Sequence, residues 1–491
     1  MSSGQAGHAA GHFNLVAAAH AAMVEHGFQP DFPEGTDKEL AAILADGSLP
    51  AGLTDQRGLL WSSIDNDTSK DLDQIEWAEK LADGRIRVLV GVADVDSRVH
   101  LGSVIDKHAQ SETTSVYTGV KVFPMLPVEL SEGVTSLNEN EDRAAIVIEY
   151  CVDASGTASD GKAYRALVRN RSQLAYPSVG AWLEGHGDAP TKVAASAELA
   201  AQLKLQDEAA QRMVGSRFQH GALDIETIET QPVMHGDQPT EIARTEKNRA
   251  TSLIEEFMVA ANGVMARQIE GAKVSLIRRV VRVPKRWDRI VQLAAGLGTT
   301  LPAEPDSKAL NDFLLAQKLK DPDRFPDLSL SVVKLMGPGE YMLVRPGGEG
   351  PGHFGLAVQD YAHTTAPNRR FPDIVAQRIL KAVVAGGAPP YSDDALDAIA
   401  TRCTEMEDAA RHVERDMEKR IAAVVLHPKI GQTFDGIITG VNQHGTFVRT
   451  LGPNVEGMVV HGGKGLDVGD RVKVKLVATD PVRGFIDFAI A

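Results

Sequence analysis

Cysteines, aromatic residues and long apolar runs are all scarce in this chain. Cys151 and Cys403 are the only two cysteines in 491 residues and have no CxxC or Cys/His spacing around them. That excludes a disulfide framework and a cysteine-ligated zinc site, and a reducing, cytoplasmic setting is expected. No window is apolar over the ~20 residues needed to span a bilayer, and the opening MSSGQAGHAAGHF has neither the basic nor the apolar part of a secretory signal. Neither membrane insertion nor secretion is expected. Positive charge is also short, with 51 Lys and Arg against 66 Asp and Glu and a formal net charge of −15. This argues against a generally basic nucleic-acid coat but leaves local basic patches open. What is present is 43% hydrophobic content, in a chain long enough for about three domains.

Periodicity divides the chain. Residues 12 to 27 place Phe13, Val16, Ala17, His20, Met23 and Val24 at helical spacing ahead of Gly27, and Thr36-Asp-Lys-Glu39 has the form of a capping box opening a second helix. Two helices and a turn allow a helix-turn-helix. From Leu72 the pattern changes to strands, with "LDQIEWAE" and "RIRVLVGVADV" forming a hairpin across Asp83-Gly84. Residues 240–270, 372–385 and 393–425 read as helices. The glycine-rich run 337–355 lacks the GK[ST] ending of a phosphate loop and reads as a flexible connection. After about residue 430, five short alternating segments fit a small OB-type barrel. There Arg471, Lys473 and Lys475 share a face, with Phe434 and Phe447 nearby, a combination suited to single-stranded nucleic acid. Other basic residues cluster at Arg278-Arg279 through Arg289 and at Arg369-Arg370.

The densest chemistry is in "IDNDTSKDLDQ", where Asp65, Asp67, Asp71 and Asp73 fall within nine positions beside an apolar Leu-Leu-Trp run. Asp71 and Asp73 share strand parity, and Asp65 can return to them across a turn at Asn66 to Ser69. Three converging carboxylates raise one another's pKa unless a cation lies between them. Magnesium, a hard cation commonly held by a few carboxylates and a substrate phosphate, is the simplest such cation. A solvent-facing Asx turn is the alternative. The spacing does not meet the EF-hand calcium pattern.

Together with "GVADVDSRV", "SVYTGVKVFPMLPVELSEGVTSLNENEDR", "LIEEFMVAAN" and "HFGLAVQDYAHTTAPNRRFPDIVAQRILKAV", this motif resembles the ordered blocks of the RNase II (RNB) exoribonuclease family. The resemblance covers roughly residues 59 to 386 and continues through "ERD" at 414–416 into an S1-type terminal segment. It implies an α+β multidomain fold. A small helical module at 1–58 would take the place of cold-shock domains, followed by a mixed α/β RNB-type catalytic domain at 59–426 and an S1-type OB barrel at 427–491. It also implies processive, magnesium-dependent 3′-to-5′ hydrolysis of single-stranded RNA to 5′-mononucleotides; oxygen ligands accept manganese as well as magnesium, and a monomeric chain is expected. Asp65, Asp71 and Asp73 match family metal and catalytic aspartates. Arg369 matches the arginine beside the scissile phosphate, with Arg370 next to it as a further substrate contact. Tyr117 matches a base-stacking aromatic, and Glu414 a glutamate near the terminal ribose. Arg369 also has a reason of its own, because Phe371-Pro372-Asp373 reads as a helix start whose free amides favour an anion.

The chain departs from the family in two places. Gln74 stands where the family motif has a fourth aspartate, so either fewer ligands hold a second ion, or Glu76 or Asp67 compensates, or activity falls. The N-terminal segment is too short for cold-shock modules and is expected to gate the RNA entrance in their stead. Three functions stay open: an active exoribonuclease, an RNA-binding relative with weakened catalysis, and a metal-dependent hydrolase of DNA or another phosphodiester.

Overall fold

The computed structural model describes residues 13–236, 238–348 and 350–491. The central sheet bends round until it meets itself. Strands Trp61–Asp65, Gln74–Lys80, Ile86–Ala93 and Asp142–Val152 pair antiparallel in succession. The long strand Ala158–Ala175 then pairs antiparallel with Asp142–Val152 through Arg169, and parallel with Trp61–Asp65 from Asn170 onward. The expected hairpin forms, with Gln74 opposite Val92 and Lys80 opposite Ile86. Gly84 closes its turn at φ +85°, a conformation costly for a residue with a Cβ.

Both faces of this sheet are covered. Helices Ala197–Gln219 and Arg249–Gly271 pack on one side. Helix Phe371–Val384 is buried at every residue from Phe371 to Leu380, which marks it as a core helix rather than an amphipathic surface one. Polar residues anchor it. Gln377 donates to the Ala93 carbonyl at 2.6 Å, and Arg378 pairs with Asp96 at 2.6 Å and Asp106 at 2.8 Å.

Helices form at Leu15–Glu25 and Thr36–Ala45, while the first residues of the expected N-terminal module lie outside the described residues. They do not assemble as a helix-turn-helix. The first lays Leu15, Ala19, Ala22 and Met23 against Met406, Ala410, Val413 and Met417 of the long helix Asp393–Leu426, and the second packs on helix Val104–Glu112. The capping box does not form either. Thr36 is buried as the first helical residue, its hydroxyl unpartnered, with Gly35 as the cap. Glu39 instead accepts from the Val104 amide at 2.7 Å and from Ile105 at 3.4 Å, capping the neighbouring helix. A local motif was outcompeted by a tertiary one that satisfies two free amides with a charge.

The structure corrects several other expectations. Residues 238–245 pair with 229–235 as a hairpin, and the helix expected from 240 starts at Arg249, capped by Asn248. The glycine-rich run holds a strand, Glu340–Val344, paired with Leu276–Val280. The basic cluster at 278–289 divides: Arg282, Lys285, Arg286 and Arg289 stay exposed, whereas Arg278 and Arg279 turn inward. Arg278 pairs with Glu270 and Asp360, and Arg279 with Glu407 while stacking on Tyr341. The C-terminal strands Thr433–Asn442, Gly445–Thr450, Glu456–His461, Arg471–Asp480 and Phe485–Ile490 close into a five-stranded barrel consistent with the S1 OB fold. In it Phe434 packs edge-on against Phe488 in the core rather than facing a ligand. Arg471 is paired with Asp323 at 2.7 Å and Lys473 with Asp435 at 2.9 Å. Among the described residues, no helix is long and apolar enough to cross a membrane.

Candidate active site

The acidic motif lies where strand Trp61–Asp65 ends and strand Gln74–Lys80 begins. Its backbone is clamped from outside. Leu72 donates to the Ser136 hydroxyl at 2.9 Å, Ser136 donates to the Lys70 carbonyl at 2.6 Å, and Leu137 donates to the Leu72 carbonyl at 2.9 Å. Asn138, for which the sequence offered no role, holds this clamp by donating to the Glu132 and Gly133 carbonyls. Asp142, also unassigned, pairs with Arg57 at 2.9 Å and Arg169 at 2.6 Å.

Opposite the motif, the turn before helix Phe371–Val384 brings in Asn368 and Arg369. The Asn368 amide donates to Asp73 Oδ1 at 2.9 Å, its side-chain oxygen accepts from Thr135, and Arg369 Nε stands 3.4 Å from Asp73 Oδ2. Asn368 is thus a site residue that sequence reasoning missed. It acts through its backbone, which carries no side-chain signal. Phe371 rather than Pro372 is the first helical residue, and Asp373 in the first turn receives the Ala366 amide at 2.7 Å. Arg370 departs from its expected substrate contact. Its guanidinium donates to Asp373 at 3.0 and 2.8 Å, so its charge is neutralised within the fold.

Segment Ser115–Tyr117 runs beside the Arg369 turn, with the Ser115 amide donating to the Arg369 carbonyl at 3.0 Å. The Tyr117 hydroxyl donates to Asp71 Oδ2 at 2.9 Å, and its amide to Glu414 Oε1 at 3.3 Å. Asp71, Asp73, Tyr117, Arg369 and Glu414 therefore meet, although they come from four distant parts of the chain. Tyr117 and Arg369 keep 41% of the residue and 46% of the side chain exposed. Asp67 lies exposed in the turn. His353 and His363 are structural, the latter paired with the Tyr341 hydroxyl at 2.7 Å.

The three aspartates are not a ready-made cage. Asp65 accepts from its own turn through Asn66 and Ser69, Asp71 from Tyr117, and Asp73 from Asn368. Among the described residues, no three His, Cys, Asp or Glu side chains are grouped closely enough to hold an ion as they stand. Each carboxylate is drawn toward a donor on a different element, which corrects the expected three-way convergence.

The electrostatics nevertheless favour a cation. Burial raises Asp73 to about 7, outweighing the pull of Arg369 and the Asn368 amide, and the charge of Asp71 adds to the rise. Asp65 is raised by burial and by Asp71. Burial pushes Glu76 well above its ordinary value, with Asp65 adding to it. The donors are all oxygens, short of positive charge, and magnesium is usually held by one or two carboxylates with waters and phosphate completing its shell. The residues fit such an ion by their chemistry.

The sequence description of the RNB domain matches residues 53–386, and that of the RNase II-type exonuclease C-terminal S1 domain matches residues 432–491. The chain belongs to the RNB family. It is 29% identical over 459 residues to ribonuclease R of Vibrio parahaemolyticus, covering 89% of this chain and 54% of the relative. To ribonuclease R of Escherichia coli it is 28% identical over 500 residues, covering 94% and 60%. This RNB chain thus spans between about half and six-tenths of the length of these curated relatives. Its fold matches Mycoplasma genitalium RNase R in complex with ribose methylated single-stranded RNA, with TM-score 0.85 and 23% identity over 97% of this chain and 78% of that one. It also matches yeast Ssd1, a pseudonuclease, with TM-score 0.69 and 16% identity over 93% and 56%. The RNB fold alone therefore does not separate a nuclease from a relative that has lost cleavage.

Proposed function

We propose that this chain is a 3′-to-5′ exoribonuclease that shortens single-stranded RNA processively, one 5′-mononucleotide at a time. The observation that carries this reading is the meeting of Asp71, Asp73, Tyr117, Arg369 and Glu414 through direct contacts between four distant segments. Asp65, Asp71 and Asp73 would hold a divalent cation, magnesium or manganese, which would neutralise phosphoryl charge and acidify the attacking water.

The chain's own side chains position the RNA. Arg369 is tethered to Asp73 by Nε, and its exposed guanidinium sits ahead of a helix N-terminus, where a phosphate is favoured twice over. The half-exposed Tyr117 ring offers a stacking surface for a base near the 3′ end. Glu414 uses Oε1 to hold Tyr117, and a carboxylate oxygen there can accept from a ribose 2′-hydroxyl, favouring RNA over DNA. In the reaction water attacks phosphorus and the bond to the 3′ oxygen of the preceding nucleotide breaks. That oxygen leaves with a proton, and the terminal nucleotide departs with its 5′-phosphate.

Residues 13–58 support an entrance role, since helix Leu15–Glu25 rests on the long helix that carries Glu414. Two buried, unpaired cysteines support a reducing, cytoplasmic setting, and the chain is proposed to act as a monomer. End-labelled oligo(A) with magnesium should yield mononucleotides progressively, EDTA should stop the reaction, and a matching DNA oligomer should survive. Binding without shortening would favour the weakened relative, a reading motivated by Gln74, and equal loss of DNA would favour a general phosphodiesterase.

A further inference from the structure

The end of helix Asp393–Leu426 fastens the C-terminal barrel from below, with Ala422, Ala423 and Leu426 built into the barrel's own apolar core. A separate fastening lies on the outer face of strand Thr433–Asn442. Phe434 and Ile438 point into the barrel core, so Ile437 points out. It stands directly opposite Arg449 on one neighbouring strand and opposite Arg471 on the other. Arginine, isoleucine and arginine thus form one row across three strands. Ile437 is nevertheless only 1% exposed, so the outer face is covered there.

The partners of the two arginines identify the cover as the start of helix Phe325–Met336. This helix packs with helices Trp287–Gly296 and Ser307–Lys320 in an apolar cluster of their own. Arg449 donates from Nε and Nη2 to the two carboxylate oxygens of Asp327, at 3.0 and 2.7 Å. It also donates from Nη1 to Asn454 at 3.0 Å and from Nη2 to the Asp323 carbonyl at 3.3 Å. Arg471 reaches the Asp323 carboxylate at 2.7 Å. Arg324 lies against Gly469 of the barrel, where a Cβ would overlap its guanidinium. The Arg449 and Asp327 side chains are 10% and 22% exposed. Exposed ion pairs contribute little, but this one is bidentate, largely desolvated and beside a buried apolar residue, which is the anatomy of an interface core. Removing either partner strands the other charge in the contact, a cost relieved when the two faces part and water enters.

We propose that Arg449, Ile437 and Asp327 form a clasp that locks the barrel onto this helical insert, and that they are positioning residues for RNA. By fixing the barrel's orientation they keep the strand held between one cleavage and the next. This consequence for RNA rests on the exoribonuclease reading. Helix Asp393–Leu426 supplies the link, because Glu414 and Leu426 lie on it about 18 Å apart at 1.5 Å per residue. A barrel held mainly by that helix end could swing about it. The clasp removes that freedom.

The test uses the full chain with spin labels on cysteines placed at two exposed positions, Leu319→Cys in the insert and Lys464→Cys in the barrel. The native Cys151 and Cys403 are buried. The label separation is read by double electron–electron resonance. Arg449→Ala and Asp327→Ala cut the clasp from its two sides, and each should broaden the parental distance distribution at least twofold. Arg483→Ala, which removes an ion pair within the barrel, should not. With end-labelled oligo(A), magnesium and a heparin trap, each RNA is bound once. Nucleotides removed per encounter should fall at least fivefold in both clasp variants, while the first cleavage stays within twofold of the parental rate. A distribution no broader than the parent's in either variant would overturn the proposal, and so would a parental run length in variants whose distribution has broadened. If Arg449→Ala fails to fold, Asp327→Ala decides, because it leaves the barrel sequence intact. No shortening by the parent chain, together with broadening in the variants, would sink the nuclease reading and its consequence for RNA and leave the clasp standing.

Discussion

Replacing Asp73 with asparagine should separate what this side chain does for the reaction from what it does to the fold. Asparagine keeps the shape and an oxygen for the Asn368 amide but removes the charge beside Arg369. Lifting the carboxyl from 3.8 to about 7 means that ionising it inside the protein costs roughly 4 kcal/mol more than in the unfolded chain. The sign follows from linkage. The folded state binds the extra proton, so the cost is absent below about pH 4, grows through the interval, and is complete once the pH has passed about 7. Urea unfolding in EDTA should therefore find Asp73→Asn no more stable than the parent at pH 4 and more stable by up to roughly 4 kcal/mol at pH 8. Cleavage of oligo(A) with magnesium should fall at least a thousandfold, about 4 kcal/mol of barrier, while RNA affinity stays within a few-fold. A variant with near-parental turnover, or one destabilised equally at both pH values, would refute the reasoning.

Tyr117→Ala should weaken oligo(A) binding by about 1 to 3 kcal/mol in a filter or fluorescence assay, and Tyr117→Phe, which keeps the ring and loses the Asp71 contact, should retain most of that binding. Glu39→Ala should cost about 1 kcal/mol in denaturant unfolding, since it uncaps helix Val104–Glu112. Burial holds His353 down at about 4, so the unfolded chain takes up its proton first, and stability should fall by roughly 2 kcal/mol between pH 7 and pH 5 from this residue. His353→Asn should flatten that part of the pH profile.

The sequence made the covalently local features visible. The 74–93 hairpin followed from alternation and a glycine turn, the barrel from five short runs, and the helix behind Arg369 from its proline. The meeting of Asp71, Asp73, Tyr117, Arg369 and Glu414 was anticipated only through the family pattern, because no local rule brings residue 117 to residue 414. What stayed hidden depends on which partner wins in three dimensions. Glu39 was legible as half of a capping box but serves another helix. Glu76 was legible as an acid near the site, whereas its enclosure depends on a sheet covered on both faces, where alternation no longer distinguishes inside from outside.

The largest discrepancy concerns positive charge, and it has a measurable consequence. Several arginines and lysines that looked like nucleic-acid contacts are paired with acids of the fold, Arg278 and Arg279 with three acids and Arg370 with Asp373 inside it, Arg471 with Asp323 and Lys473 with Asp435 at its surface, while Lys285, Arg286, Arg289 and Lys475 stay exposed. Each of these pairs would have to break before its cation could neutralise an RNA phosphate, and Arg369 is the half-exposed cation left at the site itself. Affinity for single-stranded RNA falls with salt at a slope of about −0.7 per phosphate neutralised. With only a few cations engaged, the plot of log affinity against log salt for oligo(A) should have a slope shallower than about −3, and binding should draw more on stacking at Tyr117 than on charge. A slope steeper than about −5 would mean that the internal pairs open to receive RNA. In that case the charge pairing described here would be that of the free protein alone.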